Sequence, residues 1–434
     1  MSANSTSIAG PAERVHAGIA SRAALAVAVL LFAWTMVDAG WRGEGHDLLP
    51  TVVAGRLVAT DRASHLYAHD PAYYNQVNDP EFRRATAALG SSYESTPFVY
   101  PPLVAYTMQF VSAMPFDSMM LLWTLLSTLL LLIGFYCTVR VYAPLANPVW
   151  CAVVVLALCA FEPLLYGLWL GQTTSLVFAL TMGGIALQRE GRWLAAGCCV
   201  ALAAFVKLTP IVIALIWLWR GPRRAAAGCA AALVGLWSVS FALMGTAVNV
   251  EYLQRVNEIR RVALVAYNNH SVLGFLSRFE AAPLDRLQWR MLLPSAAASV
   301  AQVAMLATLA ALAIVAFRRL PARADDPRRM FAEGMALLAM LLVPNIAWTH
   351  YFVFLVPVAA IALAMRRRDD ALSALLAAVA IALCCRPLLA RQDLGAANLH
   401  NLVLMSLPTV AALAMFFALA NVTRHVRRPD AVGR

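Results

Sequence analysis

Polar and apolar positions along this chain separate into long blocks, without the period of a strand or an amphipathic surface helix. Apolar runs fall at about 22–37, 117–139, 148–168, 172–188, 193–219, 224–246, 294–317, 330–347, 350–365, 371–387 and 400–421, with a shorter apolar piece after Tyr100-Pro101-Pro102 that ends near Met114-Pro115. A helix of about 20 apolar residues crosses roughly 30 Å of hydrocarbon, so the blocks predict an all-α polytopic membrane protein with about ten to twelve transmembrane helices. Two polar blocks interrupt them, at 41–100 and 247–293. The expected layout is a tail over 1–20, an integral-membrane domain over 21–422 and a basic tail over 423–434. The first apolar run carries Val37-Asp38-Ala39 where a cleavage site would need small residues, so it is expected to remain as an uncleaved span with its N-terminus in the cytoplasm.

Composition agrees with this picture. The chain has 434 residues, 61% hydrophobic and 13% charged, with a mean hydropathy of +0.69. Soluble proteins are roughly 45–50% apolar and about 25% charged, so a set of soluble domains is excluded. The net charge of +11 is carried by arginines at the ends of apolar runs, among them Arg223, Arg318, Arg328, Arg366 and Arg427. That is positive-inside orientation rather than a nucleic-acid patch, and no nucleic-acid partner is expected. The eight cysteines form no CxxC pair and read as small apolar side chains.

Charge also frames two topologies. Twelve crossings leave Arg140, Arg189 and Arg192 outside, against the positive-inside rule. Treating 101–139 and 193–219 each as a re-entrant hairpin moves them inside and leaves about ten crossings. Both schemes put 41–100 and 247–293 on the extracytoplasmic side.

Five places could carry chemistry. Gly45-His46-Asp47 follows the first span, where a carboxylate at a membrane boundary could take a proton from an alcohol while excluding water; the plain alternative is a solvated loop acid. Tyr100-Pro101-Pro102 fits the entry of a membrane helix. Lys207 lies deep in an apolar stretch, where an ammonium is costly unless paired, and an anionic phosphate is its natural partner; carbonyls freed by Pro210 are the structural alternative. Trp348-Thr349-His350, within Pro344-Asn345-Ile346-Ala347-Trp348-Thr349-His350-Tyr351, joins two apolar runs, and Asn268-Asn269-His270-Ser271 with Arg278 lies in the second outer loop. Interfacial aromatics and ordinary loop polarity would also explain these last two.

No Walker, GxGxxG, HExxH or G-x-S-x-G pattern stands in a usable context. A phosphorylated donor would then be met on the outer, nucleotide-free side, which points to a lipid-linked donor.

Taken in order, Asp47, Ala54-Gly55, Leu66-Tyr67, Tyr100-Pro101-Pro102, Gly171-Gln172, Lys207-Leu208-Thr209-Pro210, Asn269-His270-Ser271 with Arg278, and Trp348-Thr349-His350 resemble glycosyltransferase family 87. These are polyprenyl-phosphate-mannose-dependent integral-membrane enzymes of the GT-C superfamily, and the resemblance runs over about 20–420. Departures occur at His270, where the family often has Gln, and at Tyr351, where it often has a second His. The resemblance implies a GT-C-type bundle with two large extracytoplasmic loops in the cytoplasmic membrane. It implies inverting transfer of a hexose, mannose above others, from a polyprenyl-phosphate donor to a glycolipid or polysaccharide acceptor. Asp47 would be the catalytic base. Lys207, His350 and Arg278 would bind the donor phosphate, and His46, Tyr100, Asn269, His270 and Trp348 the substrates. No metal or other cofactor is expected, although Glu44 or Asp38 near Asp47 leaves room for a divalent ion. The rivals are a transporter or flippase for lipid-linked sugars and a non-catalytic subunit of an envelope-polysaccharide complex.

Overall fold

The computed structural model describes residues 11–90, 95–320, 325–367, 370–389 and 399–425; most of the C-terminal tail lies outside them. Helix α1 (Pro11–Trp41) starts earlier than the expected tail of 1–20 allows, and its apolar span is Gly18–Trp41. The polar block that follows is itself folded. It contains α2 (Leu49–Ala59), α3 (Pro80–Ala87) and α4 (Pro102–Met108). Asp79 caps α3 by accepting from the Phe82 amide at 2.8 Å, with Pro80 in the first turn where a missing N–H costs nothing. Leu49, Val52, Val53, Leu57, Phe82, Phe98 and Tyr100 form a separate small core that seats this cap on the start of the next helix, through Phe116, Met119 and Met120.

Helix α5 (Phe116–Tyr142) runs 27 residues, roughly 40 Å at 1.5 Å per residue. The stretch 101–139 is therefore a short outer helix plus one full-length helix, not a hairpin. The apolar run 148–168 divides into α6 (Pro148–Leu158) and α7 (Glu162–Trp169), with Pro163 in the first turn of α7; α8 (Thr174–Arg189) follows. The run 193–219 does form a hairpin, α9 (Trp193–Val206) and α10 (Ile211–Arg220). The turn at Lys207–Pro210 reverses the chain because Pro210 cannot continue the ladder of α9.

Helix α11 (Arg223–Ile259) continues well past the expected end of its apolar run at 246. Gly245 sits inside it at φ +76°, a conformation open to glycine at no steric cost. Ser240 and Asn249 close the break: the Asn249 amide donates to the carbonyls of Gly245 and Ser240, and the Ser240 hydroxyl donates to Asn249 Oδ1. The half beyond Gly245 turns its Val248 and Tyr252 onto the outer cap, which is why a stretch with polar composition is helical. The second outer loop thus begins near 260. It carries a short antiparallel ribbon, β1 (Ala263–Leu264) with β2 (Met291–Leu292), and α12 (Val272–Ser277).

The bundle closes with α13 (Ala296–Arg319), α14 (Asp325–Leu342), a 3-10 turn (Thr349–Phe354) leading into α15 (Leu355–Met365), α16 (Ala371–Leu383), two short helices, α17 (Arg386–Leu389) and α18 (Leu399–Leu404), and α19 (Leu407–His425). Among the described residues, five helices are individually long and apolar enough to cross a membrane, in α1, α5, α11, α13 and α19; other apolar runs include shorter helices of 10–17 residues. The chain is an all-α, multi-pass membrane protein.

Contacts at the arginine-rich end decide how the hairpin sits. Arg189 donates to the buried Glu333 of α14 at 2.9 Å, Tyr142 donates to the same carboxylate at 2.8 Å, and Arg140 pairs with Glu190 at 3.0 Å. Arg220 and Arg328 both lie over the Phe317 ring. Arg140 and Arg189 therefore share one end of the bundle with the arginines that flank α13 and α14. The hairpin of α9 and α10 enters and leaves from that end, with its tip at Lys207.

Candidate active site

The opposite end of the bundle holds a cavity of about 1610 Å³, walled by the outer cap, α7, the Lys207 turn, the second outer loop and the segment 343–351. Asp47 is fixed in its wall by the backbone: its N–H donates to Leu170 O at 2.9 Å, and the Gly45 N–H donates to Trp169 O at 3.1 Å. Gly171, at φ +70°, makes this docking possible, since a Cβ there would lie 2.7 Å from the Leu48 Cβ. The turn at Gly171 delivers Gln172 to the carboxylate.

Gln172 Nε2 donates to Asp47 Oδ2 at 2.5 Å, and Gln172 Oε1 accepts from Lys207 Nζ at 2.8 Å. A carboxylate can only accept and an ammonium can only donate, so both ends of the amide are fixed in orientation. Lys207 Nζ also donates to Thr174 Oγ1 at 3.0 Å, lies 3.3 Å from His350 Nε2 and rests 4.3 Å from the centre of the Tyr351 ring. Its three N–H groups are thus matched to Gln172, Thr174 and His350. That assignment makes His350 Nε2 an acceptor and leaves the proton on Nδ1, which is buried without a partner. Burial pushes the Asp47 carboxyl above its ordinary value of 3.8, against the opposing pull of the Gln172 hydrogen bond and of the Lys207 and His46 charges. Tyr74 and Tyr100 line the same space. Burial raises both phenols, Tyr74 to about 12, with Asp47 adding to the shift.

The other residues singled out from sequence divide in two. His46, Tyr100 and Trp348 line the cavity with Asp47, Lys207 and His350. Glu44 is held by His46 at 2.6 Å and Asp38 by Arg42 at 2.9 Å, and among the described residues no group of three or more His, Cys, Asp or Glu could hold a metal ion.

Arg278, Asn269 and His270 are placed behind the cavity wall, each almost fully buried. The Arg278 guanidinium donates to the carbonyls of Val265, Ala266, Asn269 and Met405, so its donors are taken by the backbone. Asn269 donates to Leu264 O at 2.7 Å and accepts from the Ala347 N–H at 2.8 Å. His270 donates from Nδ1 to Met405 O at 3.0 Å, and its Nε2 lies 2.9 Å from Thr349 Oγ1. These three residues brace the second outer loop against the segment that carries Trp348 and His350.

Asn268, from the loop motif Asn268-Asn269-His270-Ser271, also lines the cavity, whereas sequence reasoning quoted Gln172 without giving it a role and did not single out Tyr74, Tyr166, Trp169 or Trp289, all of which line it too. Tyr166 accepts from Asn268 Nδ2 at 3.1 Å, and Asn268 Oδ1 accepts from Trp289 Nε1 at 3.1 Å. Trp289 has a left-handed backbone, φ +48°, which for a bulky residue costs roughly 1–3 kcal/mol. It is held there by the Tyr74 N–H donating to its carbonyl at 2.9 Å.

Two comparisons with known proteins bear on this site. Glycosyltransferase family 87 matches residues 98–344, a stretch that includes Gln172, Lys207 and Trp289 and stops short of Asp47 and His350. A relative from Mycobacterium tuberculosis (strain CDC 1551 / Oshkosh), the polyprenol-phosphate-mannose-dependent alpha-(1-2)-phosphatidylinositol pentamannoside mannosyltransferase, is 28% identical over 272 residues. The match takes in 60% of this chain and 57% of the relative, so the chain spans a little over half of the relative's length. Neither comparison supports a transporter. With the family match extending over more than half of its length, the chain belongs to glycosyltransferase family 87.

Proposed function

We propose that the protein transfers a hexose, mannose in the first instance, from a polyprenyl-phosphate-linked donor to a glycan or glycolipid acceptor, with inversion. The carrying observation is that one amide, Gln172, holds a carboxylate at one of its ends and an ammonium at the other, side by side in one cavity. Asp47 takes the proton of the acceptor hydroxyl as its oxygen attacks the anomeric carbon. The new C–O bond forms as the bond from that carbon to the phosphate oxygen breaks, and the donor leaves as polyprenyl phosphate. The leaving phosphate is weakly basic and needs no carboxylic acid to protonate it, in contrast to a glycosidase. It needs positive charge and hydrogen-bond donors. Lys207 supplies the charge by exchanging one of its present partners for a phosphate oxygen, and His350 stands beside it.

The apolar side of the cavity, with Leu208, Ile211, Val212, Met340 and Val343, suits the polyprenyl chain. Leu208 and Val343 are 68% and 55% exposed, so this side is open toward the lipid. The arginine-rich end supports a cytoplasmic reading of that end in a plasma membrane, and with it an extracytoplasmic reading of the cavity. The reaction is assigned to the protein's own residues without a bound metal.

The test is transfer by purified protein given polyprenyl-phosphate mannose and a mannoside acceptor, read as release of polyprenyl phosphate together with a new mannoside. No release with any polyprenyl-phosphate hexose would end this reading.

A further inference from the structure

One wall of the cavity has no part in the chemistry just described. His46 and Trp169 lie against each other beside Asp47, with ring centres 6.0 Å apart. Trp169 is stacked with Tyr166, planes 12° apart. Tyr166 is joined through the Asn268 amide to Trp289, and Trp289 meets Tyr267 edge to face at 5.3 Å. All of these side chains line the cavity. The four Tyr and Trp rings form a continuous surface from Asp47 into the second outer loop.

We propose that this wall is the acceptor subsite and that its ligand is a saccharide, bound by stacking a pyranose ring on Trp289 and Trp169. This rests on the transfer reaction proposed above and names the side of the cavity that its acceptor takes. A pyranose has one apolar C–H face and a rim of hydroxyls. The wall offers flat rings with polar groups at their edges: the Asn268 amide, the Tyr166 hydroxyl and the His46 imidazole. A lipid tail would gain nothing from those edges, and the apolar lining for such a tail lies elsewhere, around Leu208 and Met340.

The wall is also built to hold its shape. The cross-link through Asn268 fixes two of its rings by hydrogen bonds, and the left-handed backbone of Trp289 is retained under the clamp of Tyr74. A costly conformation kept at a cavity surface is a mark of a functional constraint. The wall belongs to the acceptor because it meets Asp47, which must face the acceptor hydroxyl. The contacts of Lys207, where the donor phosphate is placed, are to Gln172, Thr174, His350 and Tyr351.

Two measurements on the full-length protein decide it. In steady-state transfer, Trp289→Ala and Trp169→Ala should each raise the KM for a mannoside acceptor about tenfold, the scale of one lost aromatic contact, while the KM for the lipid-linked donor moves less than about twofold. Trp289→Phe, which keeps a ring and loses the bond to Asn268, should fall between Trp289→Ala and wild type. A rise in donor KM with acceptor KM unmoved would overturn the assignment.

The second measurement needs no catalysis: saturation-transfer NMR of methyl glycosides of the common hexoses with wild type, Trp289→Ala and Trp289→Gly. Glycine relieves the positive φ that alanine would keep, so Trp289→Gly should melt no lower than Trp289→Ala and still lose binding. Binding of the glycosides retained by both variants, or absent from wild type, would overturn the subsite. A protein that binds a methyl glycoside through Trp289 yet transfers no sugar would instead refute the proposed reaction and leave the subsite standing.

Discussion

Two polar clusters lie at the same end of this bundle, a few side chains apart, and they are finished differently. Around Arg278, Asn269 and His270 the donors and acceptors are matched to backbone groups of neighbouring segments and, at His270 Nε2, to the Thr349 hydroxyl. Around Asp47, Gln172, Lys207 and His350 the partners are side chains, one ring nitrogen has no partner, and the cluster opens into a large cavity. A closed network fixes backbone, because each of its bonds is expensive to break and none is free to exchange. An open one can trade partners with a substrate. Polar residues of similar kind, Arg, His and Asn in one case and Asp, Lys, His and Gln in the other, therefore hold the site in place or form it, according to where their hydrogen bonds end.

Substitutions should separate the two clusters, beginning where the effect is largest. Asp47→Asn keeps the shape and removes the base; transfer should fall by about 10²–10⁴-fold, with the melting temperature held. If radiolabelled mannose transfer persists at wild-type rate, Asp47 belongs with the structural cluster. Lys207→Ala should raise the KM for the lipid-linked donor by about 10–100-fold through loss of a charge-assisted contact to phosphate. An unchanged donor KM would make the lysine a structural group satisfied by its present partners.

Arg278→Ala should act the other way. It takes the guanidinium donors from the buried carbonyls of Val265 and Asn269, at about 1–3 kcal/mol each, so detergent-solubilised protein should melt well below wild type, while donor KM per folded molecule stays close to normal. A large donor-KM effect with normal melting would move Arg278 into the open cluster. The pH profile gives a finer test. Because burial raises the Asp47 carboxyl, the acid limb of kcat/KM should lie above pH 3.8, with activity lost as pH falls through it and the base takes up a proton. Gln172→Leu removes a hydrogen bond that favours the carboxylate, so the limb should move to higher pH. The smallest expected effect is that of EDTA, which should leave transfer unchanged; loss restored by a divalent ion would bring Glu44 and Asp38 back into consideration.

Much of this contrast was hidden from the sequence. Asp47, Lys207, His350 and Trp348 stand out there because a polar or aromatic residue at a membrane boundary is conspicuous, and the fold gathers them round one cavity. Arg278, Asn269 and His270 stand out for the same reason, yet they turn inward onto carbonyls. The destination of a loop side chain depends on how the loop folds back, and no local pattern records that. The hairpin at 193–219 was legible because Pro210 and the arginine count both favoured it, whereas the end of α11 was not. Its last turns look like loop by hydropathy and become helix through the cap they cover. Trp169 and Trp289 were missed because aromatic residues beside a membrane look like an interfacial belt until their rings are seen to share a cavity wall.

The Gln172 amide has one further consequence. Without it, a carboxylate and an ammonium facing one another across a pocket would close into a direct ion pair, each quenching the other. A neutral side chain with one donating and one accepting end keeps them as separate poles. The anion stays available to the incoming alcohol and the cation to the departing phosphate, and Gln172 serves the cavity as an insulator.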